Sequence, residues 1–143
     1  MLVTTIQELK QGEKLSLPLY ATSVSAGFPS PADDFVDTKL DLNEYLVKHP
    51  AATFFVRVSG NSMIKAGIFT EDILIVDRSL DPQNGSIVIA VLNGELTVKR
   101  LKIDNKRIFL IPENSSYKAI EVTEDVDFRI WGVVTSVIHK IKQ

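Results

Sequence analysis

From residue 52 onwards the chain is a succession of short segments rich in β-branched and aromatic residues, each ended by a turn. Six segments follow one another in this way: ATFFVRVSG, DILIVDR, SIVIAVLNGELTVKRLKI, RIFLIPE, YKAIEVT and FRIWGVVTSVIHKI. Segments of this composition are typical of β-strands. Asn93-Gly94, inside the third segment, is the type I′ turn signature that joins two strands as a hairpin. We therefore predict one mostly-β domain.

A single helix signal precedes these strands, in DLNEYLVKHP. Asp41 can cap the first turn, Glu44 follows three residues later, apolar residues recur on one face, and Pro50 ends the helix. Residues 1 to about 30 end in SAGFPSPADD, which has the Gly, Pro, Ser and Asp content of a loop or linker. The sequence thus predicts a flexible amino-terminal arm, a short helix and a β-rich remainder.

Composition excludes several classes of protein. A net charge of -2 and a pI near 5.7 argue against a protein that mainly grips nucleic acid. Cysteine is absent, which excludes disulfides, thiolate metal sites and a cysteine nucleophile. No segment has the length and apolarity of a membrane span, and charged residues interrupt the first 23 residues where a signal peptide would be apolar. We expect a cytoplasmic protein that needs no cofactor or metal.

The stretch SGNSMIKAG contains a candidate nucleophile, Ser62, at a Gly60-Asn61 turn. Neutral serine is a poor nucleophile and needs a base. The chain has two histidines, and we expect His49 to interact with the last carbonyls of the helix, while His139 lies close to the carboxyl terminus. The hydrolase motif G-x-S-x-G is missing, because position 64 is Ile. A Ser-His-Asp triad is therefore disfavoured, although it stays open.

Lysine is the other available base. It can accept a proton only if burial lowers its pKa towards the working pH. In ELTVKRLKI, period-2 alternation places four residues on one face of the strand: Thr97, Lys99, Leu101 and Ile103. Lys99 shares this face with two aliphatic residues and is therefore a candidate for a partly desolvated amine. The alternative is a lysine that extends its amine into solvent from a strand edge.

The order of these segments resembles the LexA-like family of self-cleaving Ser-Lys peptidases, and within it the UmuD-type subunits of error-prone translesion polymerases. AGFPSPADDFVD is similar to the cleavage region of that family, and LDLNEYLVKHPAATFFVRVSGNSM to the segment that leads to its nucleophile. ILIVDRS, GSIVIAVLNGELTVKRL, IPENSSY and WGVV continue the match in the same order. The resemblance covers nearly the whole chain and implies a LexA/UmuD-like, β-rich catalytic domain.

The resemblance also implies a role for individual residues. Ser62 takes the position of the nucleophile and Lys99 that of the general base, while Ala26-Gly27 occupies the scissile bond. Val24 would fill a recognition pocket of its own. The backbone N–H groups of Asn61 and Ser62 would form the oxyanion hole.

The function implied by the resemblance is maturation by self-cleavage during the SOS response to DNA damage. Residues 1–26 would be a cleavable arm, and residues 27–143 the peptidase core. A RecA–single-stranded DNA filament would stimulate cleavage, and the shortened form would bind a UmuC-type DNA polymerase subunit. The protein would be a homodimer. Only 26 residues precede Gly27, too few for the helix-turn-helix domain of a LexA-like repressor, so we expect a polymerase subunit.

Four other functions stay open. The chain could be a non-catalytic, polymerase-binding regulatory module, or the carboxyl-terminal-type domain of a LexA-like phage repressor. Proteolysis of other chains is a third alternative. The segment KRLKIDNKR holds five basic residues within nine and could contact phosphates. The acidic remainder of the chain offsets this segment, so we expect no sequence-specific binding to DNA.

Overall fold

The computed structural model describes residues 1–10, 12, 15–20 and 36–143. The chain forms two compact units, one made of Met1–Leu9 with His49–Gln143 and the other of Lys10–Lys48. The fold is mostly β with one short helix, which confirms the predicted fold class. Val24, Ala26 and Gly27 lie outside the described residues, so the predicted division of the chain at this bond stays a prediction.

The described residues contain ten strands, one α-helix and two short 3-10 turns. The strands are β1 (Leu2–Glu8), β2 (Ser16–Tyr20), β3 (Val36–Asp41), β4 (Thr53–Ser59), β5 (Ile73–Asp77), β6 (Ile87–Leu92), β7 (Glu95–Asp104), β8 (Arg107–Ile111), β9 (Ile120–Val122) and β10 (Phe128–Ile138). The helix is α1 (Leu42–Leu46), and the 3-10 turns span Pro50–Ala52 and Ile64–Ala66. No helix in this part of the chain is long and apolar enough to cross a membrane.

Six antiparallel strands of the first unit close into a barrel. They follow one another in the order β1-β4-β5-β10-β6-β7, and a second pairing of β1, between Leu2 and Thr97, joins it to β7. Strands β8 and β9 continue the sheet beyond β7. At the point of closure, therefore, β1 lies between β4 and β7.

The predicted hairpin connects β6 to β7. Leu92 pairs with Glu95 across the turn, and Asn93 and Gly94 both have positive φ, of 50° and 84°. Two positive φ angles define the type I′ turn, whose twist matches that of the flanking strands. The Asn93-Gly94 prediction is confirmed.

The barrel interior is filled by apolar side chains that alternate along the strands, as a half-buried pleated sheet requires. In β4, Val56 and Val58 are fully buried while Arg57, between them, is exposed. The main core cluster consists of Met1, Val56, Val58, Met63, Ile68, Leu74, Val76, Ile89 and Val98. A second cluster consists of Val88, Ala90, Leu101, Leu110 and Val133.

The second unit contains the predicted helix, which is shorter than expected. Asp41 caps it as predicted, because its Oδ1 accepts a hydrogen bond from the Asn43 N–H at 3.0 Å. The helix ends at Leu46, and Val47 already has extended backbone. Pro50 begins a 3-10 turn of the first unit. Strands β2 and β3 of the second unit pair antiparallel.

The amino terminus differs from the sequence-based expectation. The sequence predicts weak structure up to about residue 30, whereas residues 2–8 form β1. The segment LVTTIQE is rich in β-branched residues, which suit a strand. Its hydrogen-bonding partners belong to β4 and β7, more than 40 residues further along the chain, and no local pattern indicates them.

Candidate active site

Ser62 lies in a tight turn directly after β4. Gly60 opens this turn with φ at 102°, a left-handed conformation that glycine adopts without steric cost. The carbonyl of Asn61 accepts hydrogen bonds from Asn114 Nδ2 at 2.8 Å and from the Ile64 N–H at 3.4 Å. These bonds fix the turn, and Ser62 is only 1% exposed.

Lys99 reaches Ser62 from β7. Its Nζ donates to Ser62 Oγ at 3.4 Å, to Thr97 Oγ1 at 2.8 Å and to the Val98 carbonyl at 3.0 Å. The residue is 7% exposed, so its amine does not extend into solvent. The structure thus brings together the two side chains that the sequence singled out as nucleophile and base.

The predicted inward-facing row of β7 holds for only part of the strand. Lys99 and Leu101 are buried and Thr97 is half-buried, but Ile103 is exposed. Residues 95–100 pair with β6 inside the barrel, whereas residues 100–104 pair with β8. Ile103 lies beyond the part of β7 that pairs with β6, and its placement in the row is wrong.

Burial lowers the pKa of Lys99 from its ordinary value, because the charged amine is desolvated. A hydrogen bond with the α-amine of Met1 acts in the opposite direction, to raise the pKa of Lys99, but it does not outweigh burial. A larger fraction of Lys99 is therefore neutral near pH 7 than for a solvated lysine. Only the neutral amine can accept a proton from serine.

Met1 is a third residue of the candidate site, and no sequence pattern indicated it. Its α-amine donates to Ser62 Oγ at 2.5 Å. Its carbonyl accepts from the Val98 N–H and from Thr97 Oγ1, both at 3.0 Å. Burial, together with the neighbouring Lys99 amine, lowers the pKa of the Met1 α-amine to about 5.

Both histidines have carboxylate partners. His49 Nδ1 bonds to Asp77 Oδ2 at 2.6 Å, and His139 Nδ1 bonds to Asp72 Oδ1 at 2.5 Å. The expected contact of His49 with the helix carbonyls is not the one observed. Ser62 Oγ, by contrast, has amines as its hydrogen-bond partners. The arrangement favours a lysine base over a Ser-His-Asp triad.

The basic segment at residues 99–107 does not form one positive face. Lys99 is directed at Ser62, Arg100 Nε bonds to Glu113 Oε1, and Arg107 forms a bidentate pair with Glu121 at 2.9 and 3.0 Å. Three of the five basic residues are therefore neutralised or buried, which weakens the alternative of phosphate binding through this segment.

The described residues contain no group of three or more His, Cys, Asp or Glu side chains placed to hold a metal ion.

Two further polar residues support the site. Thr97 could have been found from the sequence, because it precedes Lys99 by two positions and a strand places such residues on one face. Asn114 has no local signal, since it contacts the serine turn from 53 residues away. The site is thus built from β4, β7, the amino terminus and the loop after β8.

Comparison with known proteins gives a consistent result across the chain. The family model described as "Peptidase S24-like" matches residues 18–135, a range that includes both Ser62 and Lys99. Protein SamA of Salmonella typhimurium is 44% identical over 142 residues, which cover 99% of this chain and 96% of SamA. Protein ImpA of Shigella flexneri is 48% identical over 126 residues, covering 88% and 86%. Protein MucA of Escherichia coli is 47% identical over 121 residues, covering 84% and 82%.

Proposed function

Because the chain belongs to the Peptidase S24-like family, as a LexA-like serine peptidase of the UmuD type, we propose that it cleaves its own Ala26-Gly27 bond. Ser62 is the nucleophile and Lys99 is the general base. The observation that carries this proposal is the 3.4 Å hydrogen bond from Lys99 Nζ to Ser62 Oγ. It joins two side chains that are 7% and 1% exposed, where a lysine is most readily neutral.

In the first step, neutral Lys99 accepts the proton of Ser62 Oγ, and Oγ attacks the carbonyl carbon of Ala26. The Ala26-Gly27 C–N bond breaks, and Lys99 returns the proton to the Gly27 nitrogen. Ser62 is left as an ester with Ala26. A water molecule then attacks this ester while Lys99 accepts its proton. The bond from Ala26 to Ser62 Oγ breaks as Lys99 gives that proton to Oγ, which releases residues 1–26 and restores Ser62 and neutral Lys99.

The negative charge that develops on the Ala26 oxygen needs hydrogen-bond donors. The backbone N–H groups of Asn61 and Ser62 supply them, each contributing about 3 kcal/mol to the lowering of the barrier. The bonds from Asn114 and Ile64 to the Asn61 carbonyl support this assignment, because they hold the turn in one conformation. Val24, two residues before the scissile carbonyl, provides recognition of the substrate segment.

Thr97 positions the base. Its Oγ1 lies 2.8 Å from Lys99 Nζ and, with the Val98 carbonyl, holds the amine near Ser62. A lysine has four side-chain torsions and would otherwise sample many positions. Ser62 is followed by the 3-10 turn Ile64–Ala66, and Lys99 belongs to the hairpin that turns at residues 93–94. Two separate elements of the barrel therefore carry the two side chains.

Cleavage is a maturation step of the SOS response. The product, residues 27–143, is the accessory subunit of an error-prone translesion polymerase and binds its UmuC-type catalytic subunit. The RecA–single-stranded DNA filament stimulates cleavage, and the protein works as a homodimer in the cytoplasm. The relationship to UmuD-type proteins supports this assignment of partners.

Intact mass spectrometry of the purified chain tests the proposal. Wild type, Ser62→Ala, Lys99→Ala and Lys102→Ala are incubated separately at several pH values, with and without RecA filament. Lys102 is the matched control, because it is an exposed lysine on the same strand. We expect wild type and Lys102→Ala to yield residues 1–26 and 27–143, faster as the pH rises, and the other two variants to stay intact.

Two outcomes contradict the mechanism. Cleavage that survives Ser62→Ala would exclude Ser62 as the nucleophile. A wild-type chain that stays intact even with activated filament would leave the alternative of a non-catalytic, polymerase-binding module.

A further inference from the structure

Strand β1 closes the barrel at the candidate active site. It pairs with β4 from Leu2 opposite Ser59 to Glu8 opposite Phe54, and Leu2 also pairs with Thr97 of β7. The serine turn directly follows β4, and Lys99 belongs to β7. Without β1, the edges of these two strands would face each other across an open groove, of the kind that binds an extended peptide as an added strand.

The end of β1 lies against the dyad itself. The Met1 α-amine is 2.5 Å from Ser62 Oγ, and the Met1 carbonyl accepts hydrogen bonds from the Val98 N–H and the Thr97 hydroxyl. The Met1 side chain is 8% exposed and belongs to the main core cluster. A Cβ on Gly60 would be 3.5 Å from Met1 Cα, which shows how closely the two segments approach.

A scissile peptide needs the same space. Attack by serine requires the substrate carbonyl carbon about 3–3.5 Å from Oγ, and here the Met1 amine lies closer than that. The N–H of Val98, on the strand edge facing the groove, is already bonded to Met1. A second chain segment therefore cannot reach Ser62 while Met1 is in place.

We propose that β1 and the cleavage segment are alternative occupants of one strand-binding groove between β4 and β7. Cleavage then requires β1 to leave first. This inference rests on the proposed self-cleavage, for the identity of the second occupant. It assigns to the first residues of the chain a function beyond that of a passive arm: they occlude the site until they are displaced.

Few buried contacts hold β1 in the groove. Of residues 2–8, only Val3 is half-buried and the others are exposed. The register with β4 shifts between Val3 and Thr5, so the ladder is interrupted. Met1, which directly precedes this strand, is buried and anchors it. Elements with few buried apolar contacts open locally at low free energy, which suits an occupant that must give way.

Access to position 62 tests the occlusion without any need for cleavage. Because the chain has no cysteine, Ser62→Cys creates a single thiol whose alkylation by iodoacetamide can be followed by intact mass. Val3→Pro with Ile6→Pro removes two backbone donors from β1 and disfavours its pairing. Gly12→Pro, outside the strand, is the matched control.

We expect alkylation at least about tenfold faster in the double-proline chain than in the control. Access to position 62 scales with the fraction of molecules in which β1 has left the groove, and the proposal requires that fraction to be below about a tenth in the control. Equal rates in the two chains would overturn the proposal. Faster alkylation of the double-proline chain, together with a Ser62 chain that stays intact even with activated filament, would support the occlusion and contradict the proposed function.

A reversible lock provides a second measurement that does not depend on proline tolerance. Thr5 and Arg57 are paired residues of β1 and β4, and Asp104 and Arg107 are paired residues of β7 and β8. Opposed residues of an antiparallel pair have the spacing that a disulfide needs. Cysteines at the first pair would hold β1 in place, and cysteines at the second pair would not.

With Ser62 present, the oxidised Thr5→Cys/Arg57→Cys chain should cleave itself at least about tenfold more slowly than the same chain after reduction. The oxidised Asp104→Cys/Arg107→Cys chain should cleave at the rate of its reduced form. A locked β1 that leaves the cleavage rate unchanged would refute displacement of β1 as a requirement.

Discussion

Replacing Lys99 by Met distinguishes the effect of the buried amine on the stability of the fold from its role in cleavage. Methionine keeps the length and unbranched shape of the side chain while removing the amine. The three hydrogen bonds that Lys99 Nζ donates to Ser62, Thr97 and Val98 disappear, each with a net contribution of about 1 kcal/mol. Ser62 Oγ and Thr97 Oγ1 nevertheless keep their bonds to Met1. The desolvation that lowers the pKa of Lys99 disappears as well.

These terms nearly cancel or favour the variant. We expect Lys99→Met to be between unchanged and about 2 kcal/mol more stable to unfolding than wild type, as when buried ionic groups are replaced by apolar ones. Loss of a general base should slow self-cleavage by about 10²- to 10⁴-fold. The variant would therefore be at least as stable as wild type and nearly inactive, which identifies a residue kept for chemistry rather than for stability.

The pH dependence has a definite sign. The pKa of Lys99 is lower in the folded chain than the ordinary 10.5, so the unfolded chain binds more protons between the folded pKa and 10.5. Burying the charged amine destabilises wild type. This destabilisation is present in full below the folded pKa and disappears as the pH rises towards 10.5. The advantage of Lys99→Met should therefore shrink with rising pH.

Urea unfolding at pH 7 and pH 9, together with intact mass spectrometry of cleavage, measures both quantities. Lys102→Met is the control, because Lys102 is exposed on the same strand. Its stability should change by no more than about 0.5 kcal/mol. A Lys99→Met chain destabilised by more than about 2 kcal/mol, or one that cleaves at the wild-type rate, would refute the reasoning.

Two further substitutions probe the serine turn and a buried carboxylate elsewhere in the barrel. Gly60→Ala should cost about 1–3 kcal/mol of stability in urea unfolding, because φ of 102° strains any side chain, and should slow cleavage; Gly12→Ala, where an added Cβ meets open space, should do neither. Burial raises the pKa of Asp77, but hydrogen bonds from Ser79 and His49 outweigh it and lower the pKa below 3.8. Asp77→Asn should therefore lose about 1.5–3 kcal/mol at pH 7, a difference that persists down to pH 3.8 and disappears as the pH falls through the folded pKa. Equal acid unfolding of wild type and Asp77→Asn would contradict this.

Local patterns predicted the parts of the fold that local forces decide. The hairpin at Asn93-Gly94 follows from the φ angles these two residues tolerate, and the Asp41 cap follows from one hydrogen bond to Asn43. The carboxyl end of the helix was not predicted, because Leu46 is followed by extended backbone that Pro50 does not itself impose. Ile103 was misplaced because alternation along a strand does not show where its partner strand changes from β6 to β8.

The meeting of Ser62 and Lys99 depends on strand order, which alternation does not contain. The serine turn follows β4 and Lys99 belongs to β7. These two strands are not neighbours along the chain, and β1 lies between them at the point of closure. Periodicity could mark Lys99 as facing inward, but only the closed barrel places its amine 3.4 Å from the serine. The resemblance to a peptidase family supplied that pairing in advance, since related chains share the same strand order.

The difference in free energy between two states, one with β1 in the groove and one with the cleavage segment there, decides which segment occupies the groove. The pattern of a single segment does not show this difference. Met1 and β1 together contribute one buried side chain, that of Met1, worth about 1.5–3 kcal/mol of apolar burial, and an interrupted ladder with β4. The cleavage segment is tethered to the same chain and competes at a high effective concentration. A difference of 1.4 kcal/mol between the two states changes their ratio tenfold. An activator that binds only the β1-free state can therefore turn cleavage on with modest binding energy, without touching Ser62 or Lys99.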